Sequence, residues 1–244
     1  MAVPARFGSE FRVNLHINGG QDSASVAALA NGKFVVVWEH NFFSDNDIVA
    51  QIFNADGSRF GAEFYVTPPS SSGPNGNQQR PVVTATGDGR FAMAWEDYSA
   101  AAGQPAVPDI KGLVLNADGS AASGVYANEF LVNSLGVFNS TGPAIAAQPA
   151  GGRFLISFSQ FAGGDEDVHF RAYNAASAFS SDQTFVDQSV GANEHQSAVA
   201  ALTNGYGDGH WFSRRLDRCI QRHGWFRWAY PRPALQQQWD RGER

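Results

Sequence analysis

The fold is decided by the stretch Gly32-Lys-Phe-Val-Val-Val-Trp-Glu39, followed at a short distance by Asp47-Ile-Val-Ala-Gln-Ile-Phe-Asn-Ala-Asp-Gly57. It contains two short runs of β-branched and aromatic residues, each bounded by Gly, Asn or Asp, which is the pattern of strands joined by turns. The run 34–38 is apolar without interruption, as expected of a strand covered on both faces. The pairs Asn31-Gly32 and Asp56-Gly57 tolerate the positive φ that tight turns require.

The same module recurs nearly four times along the chain, with a period of about 55 residues. Each copy holds up to four runs, and no long stretch shows a helical period with caps. The first runs are 26–29, 82–85, 145–147 and 199–202; the second are 34–38, 91–95 and 154–158; the third are 48–53, 110–115 and 168–173; the fourth are 11–13, 64–66, 130–132 and 185–186.

These repeats predict an all-β fold, a β-propeller-like array of four-stranded antiparallel blades in which the last blade is incomplete. One four-stranded unit is too small to form a core alone, so neighbouring units must cover its faces. The predicted domain spans residues 8–206, with blades at about 22–67, 79–133 and 142–187 and a partial blade at 196–206. Residues 10–14 match a fourth strand and would close a four-bladed ring. A fragment of a larger ring and an open, solenoid-like array are the alternatives.

The segment 207–244 departs from the repeat. It carries eight of the 17 basic residues but only four of the 23 acidic ones, together with four of the six Trp residues and the only Cys. Shifting the reading of its codons by one nucleotide forces Gln236, Gln237 and Gln238 to Asn or Ser and Trp239 to Gly, close to the Asn-Ala-Asp-Gly of the repeat. We therefore interpret this tail as a frame-shifted copy of the repeat and expect it to be poorly ordered. A genuine Arg- and Trp-rich extension is the alternative.

The repeated strings Gly-Lys-Phe-Val-Val-Val-Trp-Glu and Asp-Ile-Val-Ala-Gln-Ile-Phe-Asn-Ala-Asp-Gly resemble tandem repeats of large secreted bacterial proteins. Many members of that group carry calcium-binding RTX repeats and leave the cell by type I secretion. The resemblance implies an extracellular or cell-surface location, although residues 1–11 contain no apolar signal-peptide core. The calcium nonapeptide Gly-Gly-x-Gly-x-Asp does not occur in the sequence.

Acidic clusters before the third strands are the best candidates for a metal site. Asp45 and Asp47 flank Asn46, and Asp165 and Asp167 flank Glu166. Closely spaced carboxylates and amide oxygens suit Ca²⁺, which takes six to eight oxygen ligands, although no twelve-residue EF-hand loop is present. The alternative is that these are solvated turn residues that discourage pairing at a sheet edge.

Aromatic and acidic residues at the ends of the second strands allow two further interpretations. Trp38, Trp95 and Phe158 stand at one repeat position and are interpreted as blade core rather than as a sugar platform. The acids that follow them, Glu39, Glu96 and Asp97, would suit glycoside hydrolysis only at the right carboxylate separation, which the sequence does not give. No His-x-x-x-His or Glu-x-x-His spacing links the histidines, so the sequence offers no zinc site.

The predicted function is a non-catalytic structural or adhesive repeat domain of an extracellular bacterial protein, stabilised by calcium. Its expected partners are cell-surface glycans or other surface proteins. Nucleic acid is excluded because acids outnumber bases before residue 207. Membrane insertion is excluded because no apolar run approaches a membrane span. The alternatives are a carbohydrate-binding β-propeller and a glycoside hydrolase on the same scaffold.

Overall fold

The computed structural model describes residues 9–42, 45–67, 76–99, 107–123, 126, 128–134, 139–162, 164–175, 184–185, 196–202 and 210–214. The fourteen strands of this part of the chain are β1 Gln21–Ala28, β2 Phe34–Phe42, β3 Asp45–Phe53, β4 Arg59–Tyr65, β5 Gln78–Ala85, β6 Arg90–Asp97, β7 Asp109–Asn116, β8 Phe130–Leu131, β9 Ser140–Ala147, β10 Arg153–Ala162, β11 Asp165–Asn174, β12 Thr184–Phe185, β13 Ala198–Leu202 and β14 His210–Arg214. No helix among the described residues has the length and apolar character needed to cross a membrane.

The strands form three four-stranded antiparallel sheets and one two-stranded sheet. Their orders are β1-β2-β3-β4, β5-β6-β7-β8, β12-β11-β10-β9 and β13-β14. Each sheet is one copy of the repeat, with strands paired in chain order, so the prediction of an all-β fold built from antiparallel four-stranded units is confirmed. The first strands of successive sheets contact one another, β1 with β5, β5 with β9 and β9 with β13, which gives a propeller-like arrangement.

The second sheet is covered on both faces, which explains why its central strand is apolar without interruption. On one face Phe91, Met93 and Trp95 pack against Val35 and Val37 of the first sheet. On the other face its alanines and Val114 pack against Phe154, Ile156 and Phe158 of the third sheet. Side chains of a strand alternate between the two faces, so a strand buried between two sheets needs apolar residues at every position.

The turns between third and fourth strands repeat almost atom for atom. Asp56 Oδ1 accepts hydrogen bonds from the main-chain nitrogen and the hydroxyl of Ser58 at 2.9 and 2.6 Å. Asp118 and Ser120 make the same two bonds at the same distances. The following glycines adopt the positive φ predicted for them, 83° at Gly57 and 84° at Gly119. The hydrogen bonds from Ser58 lower the pKa of the Asp56 carboxyl.

The first strands begin earlier than predicted because each of the first three carries a β-bulge. The register of β1 shifts between Asp22 and Ser25, that of β5 shifts between Gln79 and Val82, and β9 shifts at the corresponding place opposite Ser157 and Ser159. One residue at the same repeat position of each copy has a left-handed conformation: Ser23 (φ 53°), Arg80 (52°), Gly142 (63°) and, before β13, Gln196 (55°). We call these four the bulge residues.

The N-terminal segment lies elsewhere than predicted. Residues 10–14 form no strand and rest on the first sheet, where the Phe11 ring lies 5.4 Å from that of Phe53. Arg59 Nη2 also donates to the carbonyl oxygens of Arg12 and Val13 at 2.8 and 3.2 Å. These side-chain contacts hold the segment over an apolar face that no other sheet among the described residues covers.

Part of the predicted tail is also ordered as a strand. β14 pairs with β13 in the position of a second strand, from Leu202 opposite His210 to Ala198 opposite Arg214. Trp211 and Phe212 have high strand propensity, which favours this pairing, and the poor order expected of the tail stays a prediction. Residues 203–209 and 215–244 lie outside the described residues, and the frame-shift interpretation stays a prediction.

Candidate functional site

A cleft opens where the first strands of the four units meet, and we call it the central cleft. It has a volume of about 550 Å³. The bulge residues Ser23, Arg80, Gly142 and Gln196 line it together with Pro81 and Pro143. Each bulge pushes one residue of its strand toward the neighbouring units, because the extra residue leaves the ladder and bends the strand. The repeat therefore builds this cleft from equivalent positions.

Behind the cleft, Glu39 joins the first sheet to the second. Its Oε1 accepts the main-chain N–H of Arg80 at 2.7 Å, and its Oε2 accepts Asn46 Nδ2 at 3.3 Å. The Arg80 N–H belongs to a bulge and has left the strand ladder, so it needs an acceptor from elsewhere. Glu39 follows Trp38 within β2, and its side chain supplies that acceptor across the gap between the sheets.

Glu96 repeats this arrangement between the second and third sheets and adds a charge partner. Its Oε1 accepts the main-chain N–H of Gly142 at 2.7 Å and lies 3.1 Å from Arg80 Nη1. The Glu96 side chain is fully buried, whereas that of Arg80 is 62% exposed. The buried carboxylate thus anchors an exposed guanidinium at the edge of the central cleft.

Tyr98 completes the environment of Glu96. Its hydroxyl donates to Glu96 Oε2 at 3.0 Å. Burial raises the pKa of Tyr98 to about 12, and the Glu96 carboxylate adds to the rise. Tyr98 therefore stays protonated and remains a donor at neutral pH. With three donors on it, Glu96 is held in a single position.

The third sheet uses hydroxyl groups in place of a carboxylate. Ser157 Oγ and Ser197 Oγ are 2.8 Å apart, and Ser197 directly follows the bulge residue Gln196. Each of the three four-stranded sheets therefore sends a polar side chain from its second strand to the next sheet, to the bulge residue itself or to the residue after it. Among the four bulge residues only Arg80, in the second sheet, has a charged side chain.

The predicted calcium residues do not form one site. Asp45 and Asp47 lie at the start of β3, opposite Phe42 and His40, whereas Asp165 and Asp167 lie at the start of β11, in the third sheet. The second sheet stands between the two pairs, so they cannot share one ion. Calcium at either pair alone stays a prediction.

The interpretation of the repeated aromatics as core is confirmed, since Trp38, Trp95 and Phe158 are at most 3% exposed. Among the predicted carboxylates, Asp97 serves a local role. It accepts the main-chain N–H of Ser99 at 2.7 Å and pairs with Lys111 Nζ at 2.8 Å. Burial alone would lower the pKa of Lys111, but the hydrogen bond and charge of Asp97, together with Glu129, raise it.

Sequence reasoning missed Arg80, Ser23 and Gln196 as cleft residues. Their positive φ values come from bulges that carry a glycine, Gly142, in one copy only. The available signal was the acidic residue that follows the aromatic residue of the second strand in two copies, Glu39 after Trp38 and Glu96 after Trp95. A polar group in a buried strand needs a partner, and the neighbouring sheet provides it.

Comparisons with known proteins identify the fold. No protein-family model and no curated protein matches the chain. The α-L-arabinanase of Penicillium chrysogenum, solved in complex with arabinobiose, matches with a TM-score of 0.53 at 14% identity, over 79% of this chain and 58% of the arabinanase. A protein of unknown function from Dyadobacter fermentans matches at 15% identity over 81% of this chain and 62% of its own, with a TM-score of 0.48. An endo-arabinase from Bacteroides thetaiotaomicron matches at 10% identity over 83% and 74%, with a TM-score of 0.46.

The chain thus has the fold of an arabinanase and spans 58% of that enzyme's length. This finding corrects the predicted function, and the prediction of a non-catalytic structural or adhesive repeat domain is wrong. The comparisons support the carbohydrate alternatives better than that prediction. The resemblance to exported RTX-associated repeats stays a prediction, because no family model or curated protein matches.

Proposed function

We propose that the central cleft binds a neutral oligosaccharide at the centre of a β-propeller whose blades are the repeat units. One observation carries the proposal. The exposed guanidinium of Arg80 stands in this cleft, held by the buried carboxylate of Glu96 at 3.1 Å. The arabinanase fold supports a sugar as the ligand class.

The chemistry of the lining suits a sugar. Arg80 presents several N–H donors in a fixed plane, Ser23 offers a hydroxyl that donates and accepts, and Gln196 offers an amide with both functions. The rings of Pro81 and Pro143 add apolar surface for the C–H faces of a sugar ring. A volume of about 550 Å³ is within the usual range of small-molecule sites, about 300–1,000 Å³.

The charge balance favours a neutral ligand. Glu96 already neutralises Arg80, so the guanidinium acts as a directional donor rather than as a free positive charge. A carboxylated sugar would have to compete with Glu96 for this group. We therefore expect an arabino-oligosaccharide or a similar neutral glycan rather than a uronate-rich one.

Glycoside hydrolysis is the second candidate, favoured by the arabinanase fold and by two buried carboxylates, Glu39 and Glu96, behind the cleft. The hydrogen bonds of these carboxylates favour sugar binding over hydrolysis as the function of the cleft. Each carboxylate already accepts a main-chain N–H from the next sheet, at 2.7 Å in both cases. A general acid or nucleophile must be available to the glycosidic bond or to water, and these two groups are engaged in holding the sheets together.

The test uses the full chain and the variant Arg80→Ser, because serine is the bulge residue of the first copy. Titration calorimetry with arabinobiose and arabinotriose should show binding, and the variant should bind at least tenfold more weakly. Arg90→Ser is the matched control, since Arg90 lies at the end of β6 opposite to Glu96 and pairs with Asp88.

Hydrolysis is measured separately as new reducing ends released from linear arabinan, with Glu96→Gln as the inactive comparison. Binding without turnover supports the proposal. Turnover lost in Glu96→Gln would establish the second candidate. Equal affinity in the Arg80→Ser and Arg90→Ser variants would refute the assignment of the ligand to this cleft.

A further inference from the structure

We propose that His16, His40 and Glu63 bind a zinc ion between the N-terminal segment and the first sheet; none of the three lines the central cleft. The three residues come from different segments: His16 from the N-terminal segment, His40 from β2 and Glu63 from β4. One ligand atom of each lies within 4.8 Å of the other two. Two imidazoles and a carboxylate form a donor set typical of zinc.

The distances are close to those of a bound ion. Zinc bonds to nitrogen and oxygen are about 2.0–2.2 Å long, so ligand atoms around a tetrahedral ion stand roughly 3.3–3.5 Å apart. His16 Nδ1 and Glu63 Oε1 are 2.6 Å apart and must separate slightly, and no two ligand atoms of the cluster are more than 4.8 Å apart. His16 is 57% exposed and can make that adjustment, with a water completing the coordination on its open side.

The surroundings orient two of the ligands. Glu63 Oε2 accepts the main-chain N–H of Leu15 at 2.7 Å, which leaves Oε1 directed at His16. His40 Nε2 lies 3.2 Å from the carbonyl oxygen of Asn18. A carbonyl only accepts, so Nε2 carries the proton and Nδ1 presents its lone pair. Such an outer hydrogen bond fixes the ring orientation and tautomer of a metal-binding histidine.

Negative charge accumulates beside this cluster. Asp47 stands opposite His40 in the ladder and is 2% exposed, and its Oδ2 has no hydrogen-bond partner among the described residues. The Glu63 side chain, 4% exposed, adds a second buried carboxylate from β4. A divalent cation would compensate these buried acids, and with two imidazoles among the donors zinc fits better than calcium, which takes oxygen ligands.

The ion would fasten the N-terminal segment to the first sheet. Without it, the segment is held by Arg59, by the packing of Phe11 and by the contacts of Glu63 with Leu15 and His16. Only a glycine fits at position 19, where the N-terminal segment passes close to Asn41. A Cβ on Gly19 would meet the carbonyl oxygen of Asn41, and the φ of Gly19 is +80°. A zinc ion would cross-link residues 47 positions apart, from His16 to Glu63, across an apolar face.

The experiment uses the full chain, first treated with EDTA and then titrated with zinc. Calorimetry should give one site per chain with a dissociation constant at or below about 1 μM, and zinc should raise the melting temperature. Cobalt should give the visible absorption of a four-coordinate ion. Calcium at the same concentration should not displace zinc from this site in the calorimetric titration.

His16→Gln and Glu63→Gln should each weaken zinc binding at least tenfold and lose the cobalt spectrum, while keeping the apo melting temperature near that of the parent. His16 is chosen because it is exposed, whereas replacing the buried His40 would also disturb the core. Glu10→Gln, in the same segment, is the matched control and should bind like the parent. Zinc binding that is absent, or unchanged in both His16→Gln and Glu63→Gln, would overturn the proposal.

Discussion

Replacing Glu96 by alanine tests whether the carboxylates behind the central cleft join the sheets. The substitution removes the acceptor of three groups: the main-chain N–H of Gly142, the hydroxyl of Tyr98 and the guanidinium of Arg80. Arg80 is 62% exposed, so water replaces most of what it loses. The half-buried Gly142 N–H loses its acceptor, and an unpaired buried donor costs about 1–3 kcal/mol.

A hydrogen bond to a charged acceptor contributes about 1.5–3 kcal/mol, but the bond to the exposed Arg80 contributes less because water replaces it. We therefore expect Glu96→Ala to lower the free energy of unfolding by about 3–4 kcal/mol. Glu96→Gln keeps the volume and one acceptor oxygen and should cost about 1–2 kcal/mol. Urea denaturation followed by Trp fluorescence measures both values. The control is Glu129→Ala, which removes only a pair with Lys111 at 3.4 Å and should cost less than about 1 kcal/mol. The proposed joining role is refuted if Glu96→Ala costs no more than Glu129→Ala.

Three further variants probe other features of the sheets. The indole nitrogen of Trp95 has no hydrogen-bond partner among the described residues, and the third copy has Phe158 in its place. In urea denaturation, Trp95→Phe should therefore lower the free energy of unfolding by at most about 1 kcal/mol, and Trp95→Ala by about 3–5 kcal/mol. Ser23 has a left-handed φ of 53°, so Ser23→Gly should raise the melting temperature, corresponding to about 0.5–1 kcal/mol, and a decrease would argue against the bulge. Burial lowers the pKa of His169 from 6.5 to about 4, so the unfolded chain takes up a proton first as the pH falls, and stability should decrease by up to about 3 kcal/mol between these values. His169→Phe should flatten that slope in unfolding measurements from pH 7 to pH 4.

Local patterns in the sequence predicted the strands and the turns that join them. The second and third strands were found because apolar runs and glycine-containing turns are signals within a few residues. The aromatics of the second strands were correctly placed in the core for the same reason. The bulges were missed because Ser23 and Arg80 carry no sign of a left-handed conformation, which the meeting of neighbouring sheets imposes on them.

The functional clusters could not be read from local sequence because their members are far apart along the chain. Arg80 N donates to a carboxylate 41 residues earlier, and Gly142 N to one 46 residues earlier. His16 and Glu63 are separated by 47 residues, and the spacing rules for zinc sites consider only neighbours on one element. Only the packing of whole repeats brings these groups together.

The charged bulge residue of the second copy, Arg80, is the strongest sign of function in the central cleft. All four bulge residues share one backbone conformation, and Ser23, Gly142 and Gln196 hold it without a charge. Folding of the bulge therefore does not require a guanidinium at this position, although Glu96 must be stabilised once it is buried. Glu39 accepts its bulge N–H in the same way and contacts no guanidinium among its hydrogen bonds. Because the scaffold can be built without this arginine, we attribute Arg80 to the ligand, and the Arg80→Ser variant separates that role from stability.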